Sequence, residues 1–168
     1  MRIPDLRVSF RTGFCLGLLL AAVIGLYLYW LWEPQHQVRL HSAHLIEALE
    51  DNDWAETGEF LDTSYADQWG HDRGLLLTRL RQVLTYARHL RIETIGTPRV
   101  DASSAEAVWA ARITIEADPN EVSTFIKERI NPLEEPFELR WRHQSGKPWD
   151  WKLVRVTNPS LELSSGGF

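Results

Sequence analysis

Ala105-Glu-Ala-Val-Trp-Ala-Ala-Arg-Ile-Thr-Ile-Glu116 decides the fold. Ala105, Ala107, Trp109, Ala111, Ile113 and Ile115 occupy every second position, and the opposite side carries Glu106, Arg112, Thr114 and Glu116. A period of two puts alternate side chains on opposite faces of a strand, so this one is half-buried, with its apolar face inward.

Outward from it the same pattern recurs. Leu90 and Ile92 alternate with Arg91 and Glu93 in a preceding strand that runs toward Val100, interrupted at Gly96-Thr97-Pro98, with a turn over Asp101–Ser104. On the other side, Asp118-Pro119 opens a short helix whose face is Val122, Phe125, Ile126 and Ile130, and Asn131-Pro132 stops it. A third strand sets Phe137, Leu139 and Trp141 against Glu138, Arg140 and Arg142. After a turn around Gly146, Trp149–Thr157 reads as a fourth strand. Its facing is ambiguous, because Trp149, Trp151 and Leu153 conflict with Val154 and Val156. Residues 159–168, ending near Ser164-Ser165-Gly166-Gly167, read as a flexible tail.

The segment before the strands is helical. Pro34 suits a first helical turn, where the missing N–H is not needed, and Val38, Leu45, Ile46 and Leu49 stripe a helix over 35–50, with Leu40 off the stripe. Asp53 is placed to cap a short helix, Trp54–Leu61, and a loop follows over Asp62–Gly70. Asp72 caps the strongest amphipathic helix, striped by Leu76, Leu80, Val83, Leu84 and Ala87. The expected class is α+β: an N-terminal transmembrane helix, then helices packed on a curved, largely antiparallel sheet.

That element order, with local wording, resembles the nuclear transport factor 2-like superfamily, the cystatin-like α+β cone. The residues carrying it are Ala48-Leu-Glu-Asp-Asn-Asp-Trp54, Phe60-Leu-Asp-Thr-Ser-Tyr65, Asp72-Arg73 and Trp151-Lys-Leu-Val-Arg-Val156, within about residues 36–158. The resemblance implies a cone with an apolar pocket between sheet and helices. It also implies either a lyase or isomerase or a non-catalytic binding or assembly module, and fold alone does not choose. The helix at about 119–131 departs from the minimal pattern.

Gly13–Trp32 carries no charged residue and, at about 1.5 Å per residue, spans roughly 30 Å as a helix, a bilayer's hydrocarbon thickness. A cleaved signal would end in small residues, whereas this run ends in Tyr27, Tyr29, Trp30 and Trp32, a belt suited to the membrane interface. Cys15, the only cysteine, sits at the start of the run, which excludes a lipid-modified cysteine after it, a disulfide and a cysteine zinc site. Arg2, Arg7 and Arg11 precede the run, so the positive-inside rule puts 1–12 in the cytoplasm and a domain at 35–158 in the periplasm of a single-pass inner-membrane protein. The expected partners are the lipid bilayer through 13–32 and an envelope protein or a second copy, with Gly13-x-x-x-Gly17 at helix-dimer spacing. The formal net charge is −5, and more negative once the N-terminal arginines are set aside, which argues against nucleic acid.

Tyr65, Asp67, Trp69, His71 and Asp72 form the densest polar-aromatic cluster. An Asp or His beside a Tyr donor can move a proton next to a carbonyl. The plainer account is a turn that caps the next helix. His41 and His44 share a helix face at a metal-compatible spacing, with no further ligand evident beyond Glu47, so solvated histidines are the plainer account and no cofactor is expected. The acidic run from Glu47 to Asp62 reads as a solvated, helix-capping face. Trp69, Trp109, Trp141 and Trp149 are candidate ligand or partner contacts; Trp109 and Trp141 fall on apolar strand faces and read as core, while Trp149 flanks a turn. The favoured function is a membrane-anchored, non-enzymatic module that binds a protein or a small apolar ligand; the alternative is an anchored lyase or isomerase using Tyr65, Asp67 or His71. A cone plugged by Trp109, Trp141 and leucines would end the second reading; an open cavity reached by the three polar residues would strengthen it.

Overall fold

The computed structural model describes residues 10–85, 89–116 and 121–161. Helix α1 (Phe10–Leu31) is followed by α2 (Pro34–Glu50), α3 (Trp54–Phe60) and α4 (Arg73–Leu84). Strands β1 (His89–Asp101) and β2 (Glu106–Glu116), helix α5 (Glu121–Ile130), and strands β3 (Phe137–His143) and β4 (Trp151–Thr157) follow among the described residues. The four strands form one curved antiparallel sheet in the order β1-β2-β3-β4, and the class is α+β.

Helix α1 is long and apolar enough to cross a bilayer, and none of Gly13–Leu31 is buried against the domain. Its join to α2 is short. Glu33 leaves helical geometry (φ −57°, ψ 127°), and Pro34 then starts α2. Gln37 Nε2 donates back to the Leu31 carbonyl at 2.7 Å, and the Trp30 and His36 rings lie 4.1 Å apart.

Helix α2 buries Val38, Leu45, Ala48 and Leu49 and packs on β1 and α3. The two expected caps are present. Asp53 Oδ1 accepts from the N–H groups of Ala55 (3.1 Å) and Glu56 (2.9 Å), and Asp72 Oδ1 accepts from Leu75 N–H at 2.8 Å. Each satisfies donors that a helix N-terminus leaves unpaired. The expected stripe residue Ala87 and the Asp118-Pro119 helix start lie outside the described residues.

Two bulges shape the sheet. The β1–β2 register shifts between Ile95 and Arg99, around Gly96 at φ +69° and buried Pro98. The carbonyls of Ile95 and Gly96 are met instead by Trp109 Nε1, at 3.2 and 3.3 Å. The Gly96-Thr97-Pro98 interruption is thus a bulge inside one long strand, and bulges bend the strand that carries them. The second lies in β4: Arg155 pairs with Arg140 and Leu153 with Trp141, so Val154 is the extra residue. Leu153 and Val154 are therefore both buried, which resolves the ambiguous facing of this strand. The 61–66 segment lines β4's outer edge, with Asp62 N–H donating to the Leu153 carbonyl (3.0 Å) and Ala66 N–H to that of Val154 (3.2 Å). Strand β4 begins at Trp151, later than the expected Trp149, because Asp150 N–H closes a turn onto the Lys147 carbonyl and strand pairing starts at His143–Trp151.

The core joins Val38, Leu45, Leu61, Trp109, Trp141 and Trp151. The outer face of the sheet is charged: Arg142 reaches Glu106 at 2.8 Å and Arg91 reaches Glu93 at 2.8 Å.

Candidate functional site

Between the inner face of the sheet and α2, α4 and α5 lies an open cavity of about 910 Å³. Its floor includes Ala111, Ile113, Ile115 and Leu139, and the helices contribute Leu49, Leu76, Leu80 and Ile126. The cavity exists because strand curvature lifts the helices from the sheet while the side chains facing inward at Ala111 are small. Trp109 and Trp141 do not line it. Trp109 is drawn to the β1 bulge, and Trp141, wholly buried, packs toward His41 (ring centroids 6.3 Å apart). The cone is not plugged.

Tyr65, Asp67, Trp69 and His71 all line the cavity. They sit on the loop before α4, shaped by an Asp67-centred turn. Asp67 Oδ1 accepts from Trp69 N–H (2.9 Å) and His71 N–H (2.8 Å), and Oδ2 meets His71 Nδ1 at 2.8 Å. The Asp67 side chain has no exposed surface, whereas His71 keeps 19%. With Nδ1 engaged, Nε2 is the His71 nitrogen left for a ligand. Asp72 turns its carboxylate to the helix end and is a cap alone.

Tyr65 is 2% exposed, and its hydroxyl has no hydrogen bond of good geometry among the described residues, with the Val156 backbone as its polar neighbour. Burial first, and the Asp67 charge second, hold the phenol above the ordinary tyrosine range; the nearby Val156 backbone and Arg155 only temper this. A neutral buried hydroxyl so weakly held is a donor that a ligand acceptor can engage.

Residues that sequence reading passed over complete this end. Trp69 Nε1 donates to the Leu161 carbonyl (2.9 Å), Gln68 Nε2 to that of Asn158 (2.6 Å), and Asn158 Nδ2 to that of Glu135 (2.8 Å). The expected tail over 159–168 thus begins with a packed turn. Leu161 is 5% exposed and lines the cavity; 162–168 lie outside the described residues. The Asn158-Pro159 pair was the available signal, since Asn before Pro favours a turn.

The remaining candidates do not converge here. His41 Nδ1 lies 2.9 Å from the Gln37 carbonyl, with the ring against Phe60, while His44 is exposed beside an acidic groove that includes Glu47, Asp51 and Glu56. No group of three or more metal-ligating side chains that could hold a metal occurs among the described residues. Trp149 is 53% exposed on its turn. Asp62 is held below the usual carboxylate range: burial raises it, but the hydroxyl and N–H of Ser64, with Arg142 and Lys152, outweigh that.

A bent sheet wrapped on helices around an apolar cavity defines a cone-shaped, cavity-bearing domain. It is the nuclear transport factor 2-like, cystatin-like fold. A candidate dehydratase of the NTF2-like family from Streptomyces avermitilis superposes with a TM-score of 0.51 at 15% identity, over 73% of this chain and 93% of its own. A conserved protein from Planctomyces limnophilus gives 0.51 at 12% identity, over 72% and 91%. Bd1075 from Bdellovibrio bacteriovorus gives 0.51 at 11% identity over 71% of this chain, which spans 38% of that protein. Identities of this size establish the fold alone. No protein-family model matches the sequence, and no curated protein sequence matches it significantly.

Proposed function

We propose that this chain is a single-pass module of the cytoplasmic membrane, its N-terminus in the cytoplasm and its cone in the periplasm, that binds a small apolar ligand without altering it. The observation that carries the reading is the cavity of about 910 Å³, walled by Leu, Ile and Val with polar groups at few positions. Small-molecule sites are built this way: apolar walls supply affinity, and a few polar groups supply orientation. Asp67 also favours binding over catalysis, since two backbone donors and His71 already use its carboxylate. The bilayer is met through 13–32, and an envelope protein or a second copy would join at the exposed surfaces.

The full chain in lipid nanodiscs, released into native mass spectrometry, is expected to carry a small-molecule adduct that disappears in Ala111→Phe. An adduct-free chain whose thermal midpoint ignores every member of a panel of apolar ligands overturns the reading. Protease added from the periplasmic side tests the topology.

One observation favours a second reading, a lyase or isomerase. The Asp67–His71 pair fixes an imidazole in the wall of a cavity that a neutral Tyr65 also lines, the parts needed to remove a proton next to a carbonyl. Incubation with β-hydroxycarbonyl compounds in D2O decides it. Deuterium incorporated next to the carbonyl and lost in His71→Gln supports the enzyme; no incorporation leaves a binding module.

A further inference from the structure

The geometry points to the open edge of β1 as the surface on which two copies of this chain join, by antiparallel pairing centred on Ile92. The proposal is independent of what the cavity holds. The β4 edge of the sheet is lined by the 61–66 segment, whereas β1 has β2 as its only strand neighbour among the described residues. From Leu90 to Ile95 the β1–β2 register is unbroken, with no proline and no bulge to blunt the edge. A strand in that state is a template for another strand.

Asn131 reveals which backbone groups the edge offers. Its side chain takes both the N–H and the carbonyl of Ile115, at 2.9 and 3.1 Å, so Ile115 makes no ladder bonds to Leu90, the residue opposite it on β1. Residues of a non-hydrogen-bonded antiparallel pair turn their N–H and C=O groups away from each other, and every second residue does the same. Leu90, Ile92 and Thr94 therefore present theirs to the free edge. Ile95, of the other parity, turns its carbonyl toward β2, where Trp109 Nε1 meets it at 3.2 Å.

The side chains choose the register. Arg91 and Glu93 have side chains 74% and 60% exposed, and they reach each other at 2.8 Å. In a two-fold pairing centred on Ile92, Arg91 lies opposite the partner's Glu93, and Glu93 opposite the partner's Arg91. Both fall at non-hydrogen-bonded positions, where cross-strand side chains come closest. Ile92 then pairs with the partner's Ile92 and Leu90 with the partner's Thr94, for about six backbone hydrogen bonds in all. Centring on Arg91 or on Glu93 would set like charges opposite each other, which is destabilising. A foreign strand leaves these two charges unmatched, so the edge selects a second copy. Leu90 and Ile92 are half-buried and line the cavity, so the pairing also withdraws apolar side chains from water. An anchor through α1 would confine the copies to one plane and raise their effective concentration.

The test uses the full chain in liposomes, with Cys15→Ala as background. Arg91→Cys and Glu93→Cys are made separately. Mixed, they bring two cysteines to about 4.5 Å between Cα atoms, within disulfide reach; each alone leaves them diagonal at about 7–8 Å, beyond it. Oxidation is expected to give at least about fivefold more disulfide-linked dimer in the mixture than in either variant alone. Charge reversal is the second arm. Arg91→Glu alone and Glu93→Arg alone set like charges opposite each other and should lose the dimer in single-molecule photobleaching, whereas mixing the two restores it as a heterodimer. Both positions are exposed, and an unchanged circular dichroism spectrum verifies that each variant is folded. Little disulfide in the mixture, equal yield in the single and mixed samples, or charge-reversed variants that each dimerise as the native chain does, overturns the proposal.

Discussion

Asp67 Oδ2 and His71 Nδ1 lie 2.8 Å apart, with the carboxylate wholly enclosed and the imidazole at the cavity wall. The same carboxylate collects two backbone N–H groups, so one side chain both folds the loop and orients the ring. Asp67→Asn keeps the shape but removes the charge and turns the acceptor opposite His71 Nδ1 into a donor. It should cost about 1–3 kcal/mol of stability, measured by denaturant unfolding. A loss below about 0.5 kcal/mol would show that the loop holds without the charge.

Tyr65 behaves in the opposite sense. Its hydroxyl is buried and has no hydrogen bond of good geometry among the described residues, so Tyr65→Phe removes a polar group that contributes little pairing. Stability should stay level or rise, since an unsatisfied buried group costs about 1–3 kcal/mol. Affinity for a carbonyl-bearing ligand should fall. A clear drop in unfolding midpoint would mean the hydroxyl has a partner in solution.

Ala111 is 1% exposed and forms part of the cavity floor, on the inner face of β2. Ala111→Phe should abolish ligand uptake while leaving the thermal midpoint unchanged or higher, as cavity filling commonly adds about 0.5–2 kcal/mol. Retained uptake in a folded variant would place the ligand elsewhere.

Asn131 ties α5 to the sheet. Its Oδ1 accepts from Ile115 N–H (2.9 Å) and its Nδ2 donates to the Ile115 carbonyl (3.1 Å), beyond the stretch where β3 pairs with β2. Asn131→Ala should cost about 1–2 kcal/mol and speed amide exchange at Ile115 and through α5. Unchanged exchange in α5 would show that apolar packing alone holds the helix.

His41 supplies a pH dependence. Burial, as the leading cause, holds its pKa below the ordinary 6.5 despite the Gln37 and Trp149 carbonyls. Below pH 6.5 the unfolded chain therefore binds the proton first, and stability falls as pH drops through that value toward the folded pKa. His41→Gln should flatten the thermal midpoint between pH 8 and pH 5.5 relative to the native chain. An identical slope in both would assign the effect to other groups.

Much of the architecture is written locally. The alternation over 105–116, the aspartates at 53 and 72, the Pro34 start and the uncharged run from Gly13 specify strand, caps and a helix long and apolar enough to cross a bilayer, because each depends on neighbours a few residues away. The sequence also singled out Tyr65, Asp67, Trp69 and His71 as a cluster, since they share one short loop.

Only the tertiary structure decided what those residues face. Trp109 is taken out of the cavity by carbonyls that a β1 bulge leaves unpaired, and Val154 is buried beside Leu153 because β4 carries an extra residue. Asn131, Asn158 and Leu161 act through contacts with chain segments far away in sequence, and Arg79 and Arg129 meet one cavity from two separate helices. Periodicity records whether a side chain is covered. A cavity is a gap among elements that are distant along the chain, and its size and polarity depend on how far a bent sheet holds those elements apart.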